Sequence, residues 1–428
     1  MDVKDRALWH LDRDYNRPIR DPLWSNIYIS DSLFPIIDSY EFQQLSRIKQ
    51  LGPSHLVYPG ATHTRMAHSL GVYHIAFRMI RRLLSHPQCP SLDDVAVRSY
   101  LCAALLHDLG HFPFTHSLKE LALADHEELA AAAILDGPLR TLLRDTVGAD
   151  PEMVAAIIDE SLPDQGSDEL RFFRTLLSGS LDPDKLDYLC RDAYFCGVPY
   201  GVQDIDFAIS RIIPNGATGI ALEQSGISAV ENVLFSKYLM YRAVYWHRTV
   251  RVATAMIKKG LYEGLTSGLI EPGQLYGLDD ETFYASFATR SEPPFRLIQR
   301  VHDRRLHAPV SDIPFDETNT IHGELLNLHR RAEAEKRVSE ALAGNGFAVE
   351  VGDVILDVPE SISFEVAFPV WTGAAFIDFP AAGTVFTPGV VRDFTRNLRL
   401  IRLMVNPELA GRIAEPDQLL ESALDSFR

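Results

Sequence analysis

From Tyr40 to about Thr266 apolar side chains recur every three or four positions, the spacing of helices that bury one face. The repeat predicts helices over 66–84, 93–109, 151–158, 170–177, 183–195 and 228–262. Gly110 offers a C-terminal stop, and Asp182 followed by Pro183 has the pattern of an N-cap with proline in the first turn. The first forty residues read as irregular apart from a short β-like patch at Ile27-Tyr28-Ile29. Residues 267–345 are polar and mixed, with helices expected over 279–288, 294–307 and 322–343. From Phe347 the pattern changes. Residues 347–351, 363–368 and 375–379 alternate or run apolar between Gly and Pro; 398–405 reads as a further strand and 416–427 as a closing helix. The expected fold is mainly α, with a helical core in residues 1–266 and a smaller α+β lobe within 267–428.

A chain of 428 residues with 46% hydrophobic content can bury a large core and a smaller one. No apolar run reaches the length of a membrane span, and the first residues are charged rather than leader-like. Four cysteines without a CxxC pair suggest neither a disulfide framework nor a thiolate zinc site, so a cytoplasmic setting is expected. With 41 basic and 58 acidic residues the net charge is −17, which disfavours strong nucleic-acid binding and an anionic membrane surface. A polyanionic small substrate remains compatible if a few cations and a metal hold it in a pocket.

The chemistry concentrates in three stretches. They are His63-Thr64-Arg65-Met66-Ala67-His68, Leu105-Leu106-His107-Asp108-Leu109-Gly110-His111, and Asp182-Pro183-Asp184-Lys185-Leu186-Asp187-Tyr188. Two imidazoles (His68, His107) and two carboxylates (Asp108, Asp184) at one point would suit a divalent ion that polarises phosphoryl oxygens and activates water. Taken singly, His68 could be a satisfied core histidine and Asp184 a first-turn acid favoured by the helix dipole. Their conjunction favours the metal, because Asp108 is costly to bury unpaired in an apolar stretch. His111, His116 and His126 are candidates for proton transfer, with structural packing or further metal ligation as alternatives. Tyr188 and Asp192 lie four and eight residues after Asp184, and Lys237, Tyr241 and Tyr245 repeat the spacing of four. Such faces could receive a sugar and phosphates, or be amphipathic helix surfaces.

These residues resemble the HD-domain superfamily, and within it the deoxynucleoside triphosphate triphosphohydrolases. The resemblance spans about residues 18–260. It rests on Asp21-Pro22, Ile48-Lys49-Gln50-Leu51-Gly52, Tyr58-Pro59-Gly60-Ala61-Thr62-His63-Thr64-Arg65, His68-Ser69-Leu70-Gly71-Val72, the His107-Asp108 segment, the Asp182 segment and Arg191-Asp192, with Leu278-Asp279-Asp280 as a late echo. It implies an HD-domain helical core and hydrolysis of dNTPs to deoxynucleoside and inorganic triphosphate. His68, His107, Asp108 and Asp184 would bind the metal (Mn²⁺, Mg²⁺ or Fe). His116 would be the acid for the departing 5′-oxygen, beside His111 and His126. Arg65, Lys185 and Lys237 would hold phosphates, and Gln50 and Asp192 the 3′-hydroxyl. Leu51 and Tyr245 would crowd the 2′ position, with Tyr188 packed on the sugar and Tyr241 on the same helix face. Relatives form dimers to tetramers, so a homo-oligomer is expected.

Three departures bear on this reading. Lys237 stands where arginine is typical, turning a bidentate phosphate contact into a point charge. Lys119 replaces a carboxylate common three residues after the acid histidine, with Glu120 next door. Asp38 and Gln43 match a regulatory nucleotide pocket, but Ser46 takes an arginine's place and Leu222-Glu223-Gln224-Ser225 lacks basic residues, so activation by dGTP is expected to be absent or altered. The rival readings are an HD phosphohydrolase for another nucleotide (monophosphate, cyclic or modified) and a nucleotide-binding regulator without turnover.

Overall fold

A computed structural model describes residues 3–425 except 165, 218, 363 and 365. The chain is mainly α with small sheets, as the periodicity implies. The long helix Arg65–Leu84 lies against Asp94–Leu106 and Pro183–Cys196, and Asp94–Leu106 in turn against Pro151–Ile158. Asp94–Leu106 is buried on nearly every side, which its run of Leu, Ala, Cys and Tyr allows. Thr64, Asp93, Asp150 and Asp182 cap the four helices through their side chains, and Pro151 and Pro183 occupy the first turns.

Several expectations give way to tertiary structure. The first forty residues are ordered as a helix, Val3–Asp14, and an antiparallel hairpin, Tyr15–Asp21 with Ser25–Ser30, rather than irregular chain. Residues 228–262 are not one helix. Ile227–Met240 passes through a π-helical turn, Tyr241–Tyr245, and a new helix, Arg248–Thr266, starts where His247 Nδ1 accepts the Thr249 amide. Residues 347–351 form no strand, and of the expected strand 363–368 residues 363 and 365 lie outside the described residues while the others are irregular. Residues 426 and 427 of the expected closing helix are also outside; Pro416–Asp425 is helical.

Beyond residue 266 two packing units form. The helix Arg248–Thr266 buries Met256, Ile257 and Leu261 against Asp280–Phe287 and Phe295–His302. A three-stranded antiparallel sheet places Leu400–Val405 between Ala308–Pro314 and Val354–Asp357, with the helices Leu328–Gly344 and Pro416–Asp425 packed on it. A second sheet joins distant parts of the chain: Gly219–Glu223 pairs in parallel with Pro369–Trp371 through Leu222 and Val370. The bidentate pair of Arg251 with Asp357, both buried, ties the strand Val354–Asp357 to the helix Arg248–Thr266.

His307 enters this region buried, with Nε2 2.8 Å from the Gly352 carbonyl and Nδ1 without a partner. Burial pulls its pKa down to about 4, so the folded protein keeps it neutral while the unfolded chain protonates near 6.5. Its contribution is therefore complete above about pH 6.5 and lost as pH falls toward 4, about 2 kcal/mol by pH 5. Denaturant titrations at pH 7 and pH 5 will find wild type losing about that much more stability than His307→Gln. Equal losses would refute the assignment.

Candidate metal and phosphate site

The site lies where the first turn of Arg65–Leu84, the end of Asp94–Leu106 and the first turn of Pro183–Cys196 meet. Two glycines permit that meeting. A Cβ on Gly71 would lie 1.9 Å from the Asp187 carboxylate and 2.5 Å from Arg191, and one on Gly110 would lie 1.9 Å from the His126 carbonyl. The first lets the two long helices touch; the second lets His126–Asp136 close over the His107–His111 turn.

His68 is buried with both ring nitrogens engaged, Nε2 2.9 Å from Asp184 Oδ1 and Nδ1 2.9 Å from Asp187 Oδ2. Burial alone would lower its pKa, but the two carboxylates outweigh it and push the value up to about 10. Asp184 is held far below the usual carboxylate range: burial opposes this, and His68 overcomes it. Asp187 is brought down to about 2 against its own burial, by Arg191 and His68. His107, capping its helix, turns Nδ1 to the Ala104 carbonyl at 3.0 Å. That contact fixes the tautomer and leaves the Nε2 lone pair facing Asp108 Oδ1 at 3.4 Å and Asp184 Oδ1 at 3.9 Å. This atom is buried and has no hydrogen-bond partner.

His68, His107 and Asp184 each bring a ligand atom within 4.8 Å of the others, so three of the four expected ligands share one point. Asp108 stands beside them. Its Oδ2 accepts from Arg65 at 2.8 Å and its Oδ1 lies 3.1 Å from His111 Nδ1. Burial would raise its pKa, but His111 and Arg65 hold it well below the ordinary value. The donor set of imidazole and carboxylate, with an orphaned lone pair aimed inward, fits a divalent transition ion.

On the far side of Asp108 a second group forms. His111 Nε2 and His116 Nε2 are 3.1 Å apart, and the His126 ring centroid is 4.1 Å from that of His111. Desolvation by the surrounding protein, then the charge of Arg65, depresses both the buried His111 and His116, which keeps an exposed edge, well below ordinary imidazole. Glu120 does not stand in for the missing carboxylate; it binds Lys258 and Arg331 instead.

Of the expected sugar and phosphate residues, Asp192, Tyr245, Tyr188 and Tyr241 form one connected group. Asp192 is buried with Oδ1 2.8 Å from His63 Nε2 and Oδ2 2.7 Å from the Tyr245 hydroxyl. Tyr245 meets Tyr188 and Tyr241 edge to face. Gln50, bonded through its backbone to His63, has a buried Oε1 without a partner; Leu51 follows it and packs partly buried against the core. Lys185 binds Asp182 and the Gly179 carbonyl, and Lys237 lies 5.7 Å from the Phe364 ring centroid. In the early helices, Gln43 donates to the Ile37 carbonyl and Ser46 to Gln43 O. A cavity of about 640 Å³ bounded by Trp24, Cys190, Tyr194 and Gln203 is lined by none of the site histidines or aspartates.

Sequence reasoning gave no role to His63 or Asp187, although both sit inside the motifs that define the site. Asp187 also accepts from Trp24 Nε1 at 2.5 Å and from Arg191 at 2.7 Å, and Arg191 reaches Asp21 at 2.8 Å. The available signal was Asp187 and Arg191 four apart on a helix face that must be buried.

The chain matches the family model of the HD domain over residues 65–170, which include His68, His107 and Asp108, and that of the HD associated region over 209–378. Over these two spans the chain is similar to HD-domain proteins. It is 36% identical over 270 residues to the uncharacterised protein YwfO of Bacillus subtilis, covering 63% of this chain and 60% of that one. It is 26% identical over 333 residues to the deoxynucleoside triphosphate triphosphohydrolase SAMHD1 homologue of Dictyostelium discoideum, covering 70% and 61%. The chain thus spans about 60% of the length of these curated relatives. A crystal structure of a hypothetical Aquifex aeolicus protein superposes with TM-score 0.71 at 26% identity, covering 96% of this chain and all of that one. Among the described residues no helix is long and apolar enough to cross a membrane.

Proposed function

We propose that this protein hydrolyses deoxynucleoside triphosphates to deoxynucleoside and inorganic triphosphate. The observation that carries the reading is the junction at Asp108, which touches the His68–His107–Asp184 cluster on one side and the His111–His116–His126 group on the other. A divalent cation held by His68, His107, Asp108 and Asp184 would supply Lewis acidity toward a phosphoryl oxygen and water. Water adds to the α-phosphorus, the bond to the 5′-oxygen breaks, and His116 gives that oxygen its proton. The charge of a bound triphosphate raises the depressed imidazoles toward the range where such transfer works. Arg65, Lys185 and Lys237 hold phosphates. Asp192 and Gln50 take the 3′-hydroxyl, while Tyr245, bonded to Asp192, and Leu51 would crowd a 2′-hydroxyl. Tyr188 and Tyr241 complete the sugar wall. A homo-oligomer remains the expected assembly.

Chromatography of products from each dNTP and from GTP, with Mn²⁺ or Mg²⁺ and an Asp108→Ala control, tests the reading. Deoxynucleoside and triphosphate from dNTPs, absent with the variant, is the expected result. Intact dNTPs under every condition would reject it in favour of another nucleotide or of a regulator. Because Ser46 replaces a basic residue and the Gln43 amide is already engaged by the Ile37 carbonyl, added dGTP will not raise turnover of other dNTPs steeply. A several-fold sigmoidal rise would contradict this.

A further inference from the structure

The three histidines beyond Asp108 are arranged as ligands as well as acids. We propose that His111, His116 and His126 form a second cation site for a borderline transition ion such as Zn²⁺, whose occupation switches the protein off. The switch rests on the role given to His116 above; the site itself does not.

The argument begins with tautomers. His111 Nδ1 lies 3.1 Å from Asp108 Oδ1 and 3.2 Å from the Asp108 carbonyl, so Nδ1 carries the hydrogen and Nε2 the lone pair. His126 Nδ1 lies 2.9 Å from Glu127 Oε2, which fixes its tautomer in the same way. A carboxylate behind an imidazole is the usual support of a metal-binding histidine, orienting the ring and strengthening its lone pair. Both supports are built here: Asp108 behind His111, Glu127 behind His126.

Distances agree with a metal. A ring nitrogen of each residue lies within 4.8 Å of the other two. His111 Nε2 and His116 Nε2 are 3.1 Å apart, against about 3.3 Å between ligands on a tetrahedral ion with Zn–N near 2.0–2.1 Å. His111 is buried while His116 is exposed, so a bound ion keeps a face toward solvent. The donor set then decides which ion. Imidazoles alone suit Zn²⁺, Ni²⁺ or Cu²⁺ and offer little to Mg²⁺ or Ca²⁺, which take oxygen. The nearby charges of Arg65 and Lys119 discourage weakly bound cations further. The His68 cluster, with Asp184 among its ligands and Asp108 beside it, accepts harder ions, so the two sites separate by donor chemistry. An ion on the His116 nitrogen occupies the lone pair that would carry the proton, which stops leaving-group protonation while the first site stays filled.

Equilibrium dialysis of the metal-stripped full chain against Zn²⁺, with elemental analysis, counts the sites. Wild type will bind two ions, and His68→Asn and His126→Gln one each. Glu127→Gln will keep both but hold one at least about tenfold more weakly. Zn²⁺ added to Mn²⁺-loaded protein will abolish turnover, and Glu127→Gln will shift the inhibiting concentration up by a similar factor. A single ion on wild type, or a second ion unmoved by both His126→Gln and Glu127→Gln, overturns the site. Two ions without inhibition overturn the switch. The ion count stands even if no dNTP is hydrolysed, which separates this test from that of the reaction; Glu127→Gln decides it should His126→Gln not fold.

Discussion

Asp184→Ala will bind no divalent ion at the His68 cluster and will hydrolyse its substrate at least about a thousandfold more slowly, a loss of ~4 kcal/mol in transition-state stabilisation. Among the described residues, Asp184 Oδ1 pairs with both imidazoles, 2.9 Å from His68 Nε2 and 3.9 Å from His107 Nε2. It pairs with His68 here, and a divalent ion held by the two residues would supply the positive charge in that pair. Removing the carboxylate leaves two neutral imidazoles and Asp108, whose oxygens are already committed to Arg65 and His111. Elemental analysis of the purified variant and single-turnover assays measure both losses. A variant with wild-type metal content and turnover within tenfold would mean that the ion sits elsewhere.

The second large effect comes from a single methyl group. Gly71→Ala places a Cβ inside the space of the Asp187 carboxylate and against Arg191. Neither can retreat cheaply, because Asp187 is bound to His68, Trp24 and Arg191, and Arg191 also to Asp21. The helices must part or the buried ion group must break, at a cost of about 3 kcal/mol or more. Asp187 also supports His68 from behind, so metal affinity will fall by about 10- to 100-fold as well. Denaturant titration and metal dialysis check the two consequences, and wild-type values in both would refute the packing argument.

Much of the site was legible because its determinants are local. The His107-Asp108 pair, the Asp182-Pro183 cap and the helical repeat around His68 are each decided within a turn or two. What was missed depends on partners far along the chain. Val3–Asp14 buries only Ala7 and Leu11 among charged neighbours, too thin a stripe to announce a helix. Ala308–Pro314 carries two prolines, which argue against a strand unless it lies at a sheet edge, and it does. The break at Tyr241–Tyr245 has no proline or glycine to mark it. Asp187 could be read as part of a motif, but its contact with His68 spans 119 residues and belongs to packing alone.

The clamp on Glu120 also sets an order of assembly. Lys258 and Arg331 grip this residue, and through it the turn that carries His116, yet Arg331 is made 211 residues after it. At about 5–20 residues per second of synthesis, roughly 10–40 s pass between the two. During that interval the nascent helices can already pair, while the turn bearing His116 has at most the Lys258 half of its clamp. One of the two grips on this turn is therefore synthesised well after the helices that carry the candidate metal ligands.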